Sequence, residues 1–316
     1  MEMRHKWSIE GLRAAKHTAT LTFERSLENG PNFSAYLVSY RSSGLKVYAM
    51  VAVPNTPKPK AGYPVLVANH GIEPTPENYG ITADGIDSRP GDYYRDVPDI
   101  YAREGFLVVM PDYRGHNISE GLSFTTGFLA TNYYTQDVLA LLSALPGLDD
   151  ADLEKLFMWG HSLGGEIALR TLLVDGSIRG ASLWSPVGGS LWEQAYHYPW
   201  YDSTDDNGSH DRPKARMEEL RRDIDKLGFP YDPSSSEPGQ FLHILDTPIL
   251  VHHAKDDGEV PYIWSELLAT KLEFENKAYT FYSYESDQHF FEDELQAIAV
   301  ARDIRFFRTL INQAAD

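Results

Sequence analysis

The 316-residue sequence contains no cysteine. That excludes disulfides, a thiolate nucleophile and cysteine-based zinc sites together. It leaves the compartment open, because a disulfide-free chain folds in any of them. No apolar run is long enough to cross a bilayer. The start, Met1 to Glu10, lacks the apolar stretch of a secretory leader. The default expectation is a cytoplasmic protein, or a secreted or periplasmic one if a leader has been trimmed. Positive charge is also scarce: 28 Lys and Arg face 46 Asp and Glu, a formal net charge of −18. Such a surface repels nucleic acid phosphates and anionic lipid, so neither nucleic acid nor membrane is expected as a partner. A homo-oligomer is compatible with this composition.

What is present is ordinary for a globular chain: 42% hydrophobic and 23% charged residues, enough to bury a sizeable core. The N-terminal part reads as an antiparallel meander. Thr18 to Leu27 alternates weakly, and a turn at Ser42-Ser43-Gly44 separates strands over Phe33 to Tyr40 and Lys46 to Val53. A Pro-rich linker, Pro54 to Pro64, follows. The rhythm then changes to short, mostly apolar runs of the kind buried parallel strands show: Val65–Ala68, Phe106–Met110, Leu156–Trp159, Ala181–Trp184 and Ile249–His252, with Tyr279–Tyr284 last. Helical stretches alternate with them over Tyr94–Arg103, Tyr133–Leu145, Leu163–Val174 and Glu294 to about Asn312. This predicts an α/β fold of one domain over residues 1–316, a mostly parallel sheet with helices on both faces. Residues 186–246 interrupt the alternation for longer than an ordinary connection. They hold Trp192, Tyr196, His197, Tyr198, Trp200 and Tyr201, then an acidic tract and a charged helix over Pro213–Leu227. The stretch reads as a cap insertion, with Trp192, Tyr196 and Trp200 as candidate substrate-contacting rings.

Gly160-His161-Ser162-Leu163-Gly164 fits G-x-S-x-G. Alone the pattern is common. Here an apolar strand runs directly in and a helix runs directly out, the context of a nucleophile elbow with Ser162 as nucleophile. A serine hydroxyl needs a base, and the base an orienting acid. Both follow in the order serine, acid, histidine. Asp256-Asp257 stands just past the strand ending at His252, and His289 lies in the loop after the last strand. Either aspartate suits the acid. Two donors are needed for an oxyanion. Leu163 N–H is one. The loop Asn69-His70-Gly71-Ile72 can aim Ile72 N–H as the other, with His70 as its support. The tract Asp202–Asp211 lacks EF-hand spacing, and His252-His253 is too tightly spaced for zinc. Neither a metal nor a cofactor is expected.

These motifs resemble the α/β-hydrolase superfamily and, within it, the catalytic domain of the prolyl oligopeptidase family and its esterase relatives. The match rests on Asn69-His70-Gly71, Met110 to His116, Gly160 to Gly165, and Asp256-Asp257-Gly258-Glu259-Val260-Pro261, and spans about Val47 to the C-terminus. The resemblance implies that the first of the two aspartates, Asp256, carries the triad role. It also implies two-step acyl transfer. The peptidases of that family carry a β-propeller before the catalytic domain, and some sixty residues of meander leave no room for one. The chain thus looks more like carboxylesterases, acetyl-xylan esterases and feruloyl esterases, acting on a small-molecule ester. Asp112 to Gly121 also resembles a stretch common in small esterases and lipases. The alternative is a propeller-less peptidase acting on short peptides.

Overall fold

The computed structural model describes residues 5–72, 94–125, 127, 129–198, 212–227 and 232–313. They form a nine-stranded sheet flanked by helices. The elements are α1 (Ile9–Ala14), β1 (Thr22–Ser26), β2 (Phe33–Ser42), β3 (Leu45–Pro54), β4 (Tyr63–Asn69), α2 (Val97–Ala102), β5 (Leu107–Asp112), α3 (Ala130–Ala144), β6 (Ala151–His161), α4 (Leu163–Val174), β7 (Gly180–Trp184), α5 (Leu191–His197), α6 (Arg212–Lys226), β8 (Ile249–Ala254), α7 (Tyr262–Phe274), β9 (Tyr279–Tyr284) and α8 (Asp293–Gln313).

The sheet order is β1-β2-β3-β5-β4-β6-β7-β8-β9. The meander β1-β2-β3 is antiparallel and joins β5 antiparallel. From β5 to β9 every pair is parallel. Strands covered on both faces must be apolar at every position, which is why Val65 to Ala68 shows no alternation of polarity. The pleat nevertheless sends alternate residues to opposite sides. Val65 and Val67 join one core with residues of α3 and α4, while Leu66 and Ala68 join the other with residues of α2 and α8.

From β4 the chain crosses to β5 on one side and returns to β6 on the other. Loops leaving the C-terminal ends of β4 and β6 therefore diverge at a switch point, where such sheets bind ligands. The register is specific: Asn69 pairs with Gly160. That sets His70-Gly71 beside His161-Ser162.

Between β7 and β8 the chain forms α5, α6 and short 3-10 turns. Ser190 and Glu193 make a reciprocal capping box that starts α5. Trp7, Leu129, Leu191, Ala195 and Leu220 form a small separate core here. Arg216 of α6 donates to the Ala195 and Tyr196 carbonyls, both at 2.8 Å, and ties α6 to α5.

Candidate active site

Ser162 sits between β6 and α4 at φ 56°, ψ −122°. A non-glycine residue holds a positive φ only when its surroundings enforce it. Here they do. Ser162 N–H donates to the Trp184 carbonyl at 2.9 Å, and Ser162 C=O accepts from Val187 N–H at 3.0 Å and Gly165 N–H at 2.9 Å. The turn is so tight that a Cβ on Gly160 would lie 2.3 Å from the Gly164 oxygen, and one on Gly164 would lie 2.1 Å from the Asn69 oxygen. Ser162 itself is 6% exposed.

His289 lies in the loop between β9 and α8. Its Nδ1–H donates to Asp257 Oδ2 at 2.8 Å. Its carbonyl accepts from His161 Nε2 and from Ser185 Oγ, each at 3.0 Å. Its ring lies 4.5 Å, centroid to centroid, from that of His161, the residue directly before Ser162. With Nδ1 on Asp257, Nε2 is the nitrogen that can exchange a proton. Glu259 Oε2 stands 3.9 Å from it, on a side chain 55% exposed.

The carboxylate on His289 is that of Asp257, and this corrects the assignment to Asp256. Asp256 is exposed, and its backbone N–H is held by the Ser286 carbonyl at 3.0 Å. Asp257 instead folds its side chain back over its own turn: Oδ1 accepts Glu259 N–H at 2.8 Å and Val260 N–H at 3.0 Å. That leaves Oδ2 for His289, and also for His253 Nε2 at 3.2 Å. The aspartate on His289 is thus the one whose carboxylate caps Val260. Burial by itself would raise the Asp257 carboxyl, but the donors on it, His253 and His289 foremost, hold it well below the usual carboxylate range. The sequence offers His253 only as half of a rejected zinc pair; its contact with Asp257, four residues on, is a finding of the structure.

The run Met110 to His116 supplies supports for the loop after β4. Tyr113 O–H donates to the His70 carbonyl at 3.0 Å, and its ring stacks on His70 at 4.2 Å. Arg114 makes a fully buried pair with Asp137, with Nη2 to Oδ1 at 2.6 Å. His116 packs edge-on against His70 at 5.1 Å. Leu163 opens α4, so its N–H belongs to the first turn, which has no partner within the helix. Ile72 ends the described part of the β4 loop. The pair His252 and His253 is split between two environments: His252 bonds Tyr284 and Asp303, His253 bonds Ser265 and Asp257. Among the described residues no group of three or more acidic or histidine side chains is placed to hold a metal ion.

The proposed aromatic contacts are not brought together with Ser162. Trp192 packs into the small core around Trp7 and Leu220, with Arg221 over its ring at 6.0 Å. Tyr196 is exposed, edge-on to His197. Trp200 lies outside the described residues.

Burial drives the His116 imidazole down to about 4 against weaker backbone hydrogen bonds that oppose it. His70 and His161 are held neutral in the same direction, also chiefly by burial. Between pH 4 and the ordinary histidine value near 6.5, the unfolded chain binds a proton at His116 that the folded chain refuses. Stability therefore rises with pH across that window and falls on acidification. His116→Gln is expected to shrink the stability difference between pH 7 and pH 5 by about 2 kcal/mol, read from guanidinium unfolding at the two pH values. An unchanged difference would contradict this.

The model of the prolyl oligopeptidase family matches residues 93–314. The chain belongs to that family. This places it among the serine hydrolases of the α/β-hydrolase fold. As a family member it shares that fold with solved structures at low identity. Acetyl xylan esterase 1 from Thermoanaerobacterium sp. JW/SL YS485 is 14% identical with a TM-score of 0.63, covering 94% of this chain and 90% of that one. Acetyl xylan esterase from Paenibacillus sp. R4 is 15% identical with a TM-score of 0.64, covering 94% and 91%. Porphyromonas gingivalis dipeptidyl peptidase 4 is 18% identical with a TM-score of 0.63, and this chain spans only 36% of its length. No curated protein sequence is significantly similar. Among the described residues no helix is long and apolar enough to cross a membrane.

Proposed function

We propose that the protein hydrolyses carboxylic esters through an acyl-enzyme on Ser162. The observation that carries this is the His289–Asp257 pair at 2.8 Å, with the His289 ring packed on that of His161, the residue before a serine that its neighbours hold at positive φ. His289 Nε2 takes the Ser162 proton as Oγ attacks the ester carbonyl. Asp257 keeps the other proton on Nδ1 and stabilises the imidazolium that forms. The N–H groups of Leu163 and Ile72 receive the oxyanion. His289 then returns the proton to the leaving alcohol. In the second half the same base deprotonates water, which attacks the acyl carbon and releases the acid and Ser162. The segment between β7 and β8 is read as a cap, which Trp192 fastens to the small core around Trp7 and Leu220. No cofactor takes part in these steps.

Ester rather than amide cleavage is favoured because the chain runs alongside nearly the whole of two acetyl xylan esterases. Membership of a family named for its oligopeptidases, and the shared fold with a dipeptidyl peptidase, favour the second reading, hydrolysis of short peptides. A panel of p-nitrophenyl esters of rising chain length and methyl ferulate, set against prolyl and alanyl anilides, decides between them, with Ser162→Ala as blank. Ester turnover that vanishes in the variant is expected. Anilide turnover clearly exceeding ester turnover would replace the esterase reading with the peptidase one.

A further inference from the structure

Three polar groups of the backbone around Gly71 are committed to buried partners. The His70 carbonyl accepts from Tyr113 O–H at 3.0 Å. Gly71 N–H donates to Tyr94 Oη at 2.9 Å. The Gly71 carbonyl accepts from His70 Nδ1 at 2.8 Å, which requires the proton of that neutral ring to sit on Nδ1. The next group along the chain is Ile72 N–H. It shares a rigid trans peptide plane with the Gly71 carbonyl and points the opposite way, so fixing one fixes the other. Gly71 is also wedged in place: a Cβ there would lie 2.6 Å from Tyr94 Oη and 3.2 Å from Ser162 Cβ.

Tyr94 continues the connection. Its hydroxyl bonds His161 Nδ1, and His161 Nε2 lies 3.0 Å from the His289 carbonyl. A carbonyl can only accept, so Nε2 carries the proton. Burial keeps the ring neutral, so Nδ1 accepts from Tyr94 O–H. The chain then runs in one direction: Gly71 N–H to Tyr94, Tyr94 O–H to His161, His161 N–H to the His289 carbonyl. Bonds aligned head to tail polarise and strengthen one another. The path begins at the peptide before the proposed oxyanion donor and ends on the backbone of the proposed base.

We propose that Tyr94 and His161 are positioning residues that hold Ile72 N–H and His289 in one frame about Ser162. This rests on the assignment of Ser162 and His289 made above. Neither side chain hydrogen-bonds a reacting atom. Tyr94 acts through the Gly71 N–H and through His161, and His161 through the His289 carbonyl and the packing of its ring on that of His289, so their loss changes the rate of the chemical step rather than substrate binding.

The test uses Tyr94→Phe, which keeps the ring that packs on Trp159 and Phe290 and removes only the hydroxyl. Turnover is counted per serine titrated with a fluorophosphonate, so that a loss of folded protein does not register. Tyr94→Phe is expected to lower kcat about tenfold or more with KM within about twofold, and to weaken a trifluoromethyl ketone that mimics the oxyanion in the same proportion. His161→Leu should do likewise. His161→Gln, whose amide both accepts and donates, should recover part of the rate. The double variant Tyr94→Phe with His161→Leu should be no slower than the slower single, because both break one path. An unchanged kcat per titrated serine in Tyr94→Phe, or single effects that multiply in the double variant, would overturn the proposal. A wild-type enzyme that turns over esters but is not labelled at Ser162 would overturn it together with the assignment beneath it.

Discussion

Asp257→Asn is expected to reduce kcat/KM by about 10⁴, the loss that follows when an orienting carboxylate becomes an amide. Asp256→Asn is expected to stay within about threefold, as an exposed side chain should. The contrast follows from four hydrogen bonds. Asp257 Oδ1 accepts two backbone N–H groups of its own turn, and Oδ2 accepts from His289 and His253. An asparagine can supply an oxygen to only one of those two sets. With oxygen kept on the turn, its NH₂ meets the Nδ1–H of His289, donor against donor. The imidazole then shifts its proton to Nε2, the nitrogen that must accept from Ser162. Geometry is preserved and the base is lost. Steady-state kinetics of the two variants on one p-nitrophenyl ester decide it. Equal losses, or a larger loss at Asp256, would return the acid to the first aspartate.

Asp303→Leu is expected to cost about 3–5 kcal/mol of stability, the range for removing one partner from a buried charged network. Asp303 of α8 is fully buried. Its Oδ1 accepts from Ser182 Oγ at 2.6 Å and His252 Nε2 at 3.0 Å, and its Oδ2 from Tyr101 O–H at 2.6 Å and Trp184 Nε1 at 3.0 Å. One carboxylate thus fastens α8 to α2, β7 and β8. Burial, and then the Asp303 charge, push the Tyr101 hydroxyl far up from its ordinary value, so it stays a donor. Leucine fills the space but leaves four donors without an acceptor inside the core. The site feels the change too, since the Trp184 carbonyl holds Ser162 N–H. Guanidinium unfolding followed by tryptophan fluorescence measures the loss. A change under about 1 kcal/mol would show that the network contributes specificity rather than stability.

The parts of this fold that were legible in the sequence are those whose physics is local. The parallel strands carry short apolar runs, and β6 into α4 carries its Gly-Ser-Gly signal within a few residues. Helix α7 gave no clear stripe. It buries Trp264, Ser265, Ala269 and Leu272 but exposes Ile263, Leu267 and Phe274, so apolar residues lie all round it. Helix α1 is six residues long, too short for periodicity to register. Helix α5 was announced by Ser190-x-x-Glu193, a signal present and not taken up. Asp256 and Asp257 differ by which way one turn faces, and composition cannot separate them. Tyr94 stands 23 residues beyond Gly71, joined to it only by a tertiary hydrogen bond.

The central claim is that Ser162 carries the acyl group. The most direct measurement is mass spectrometry of the protein quenched in acid during turnover of p-nitrophenyl acetate, followed by peptide mapping. An acetyl group is expected on the peptide containing Ser162, absent in Ser162→Ala together with turnover. Ester hydrolysis that persists in Ser162→Ala, or an acetyl group found on another residue, would contradict it.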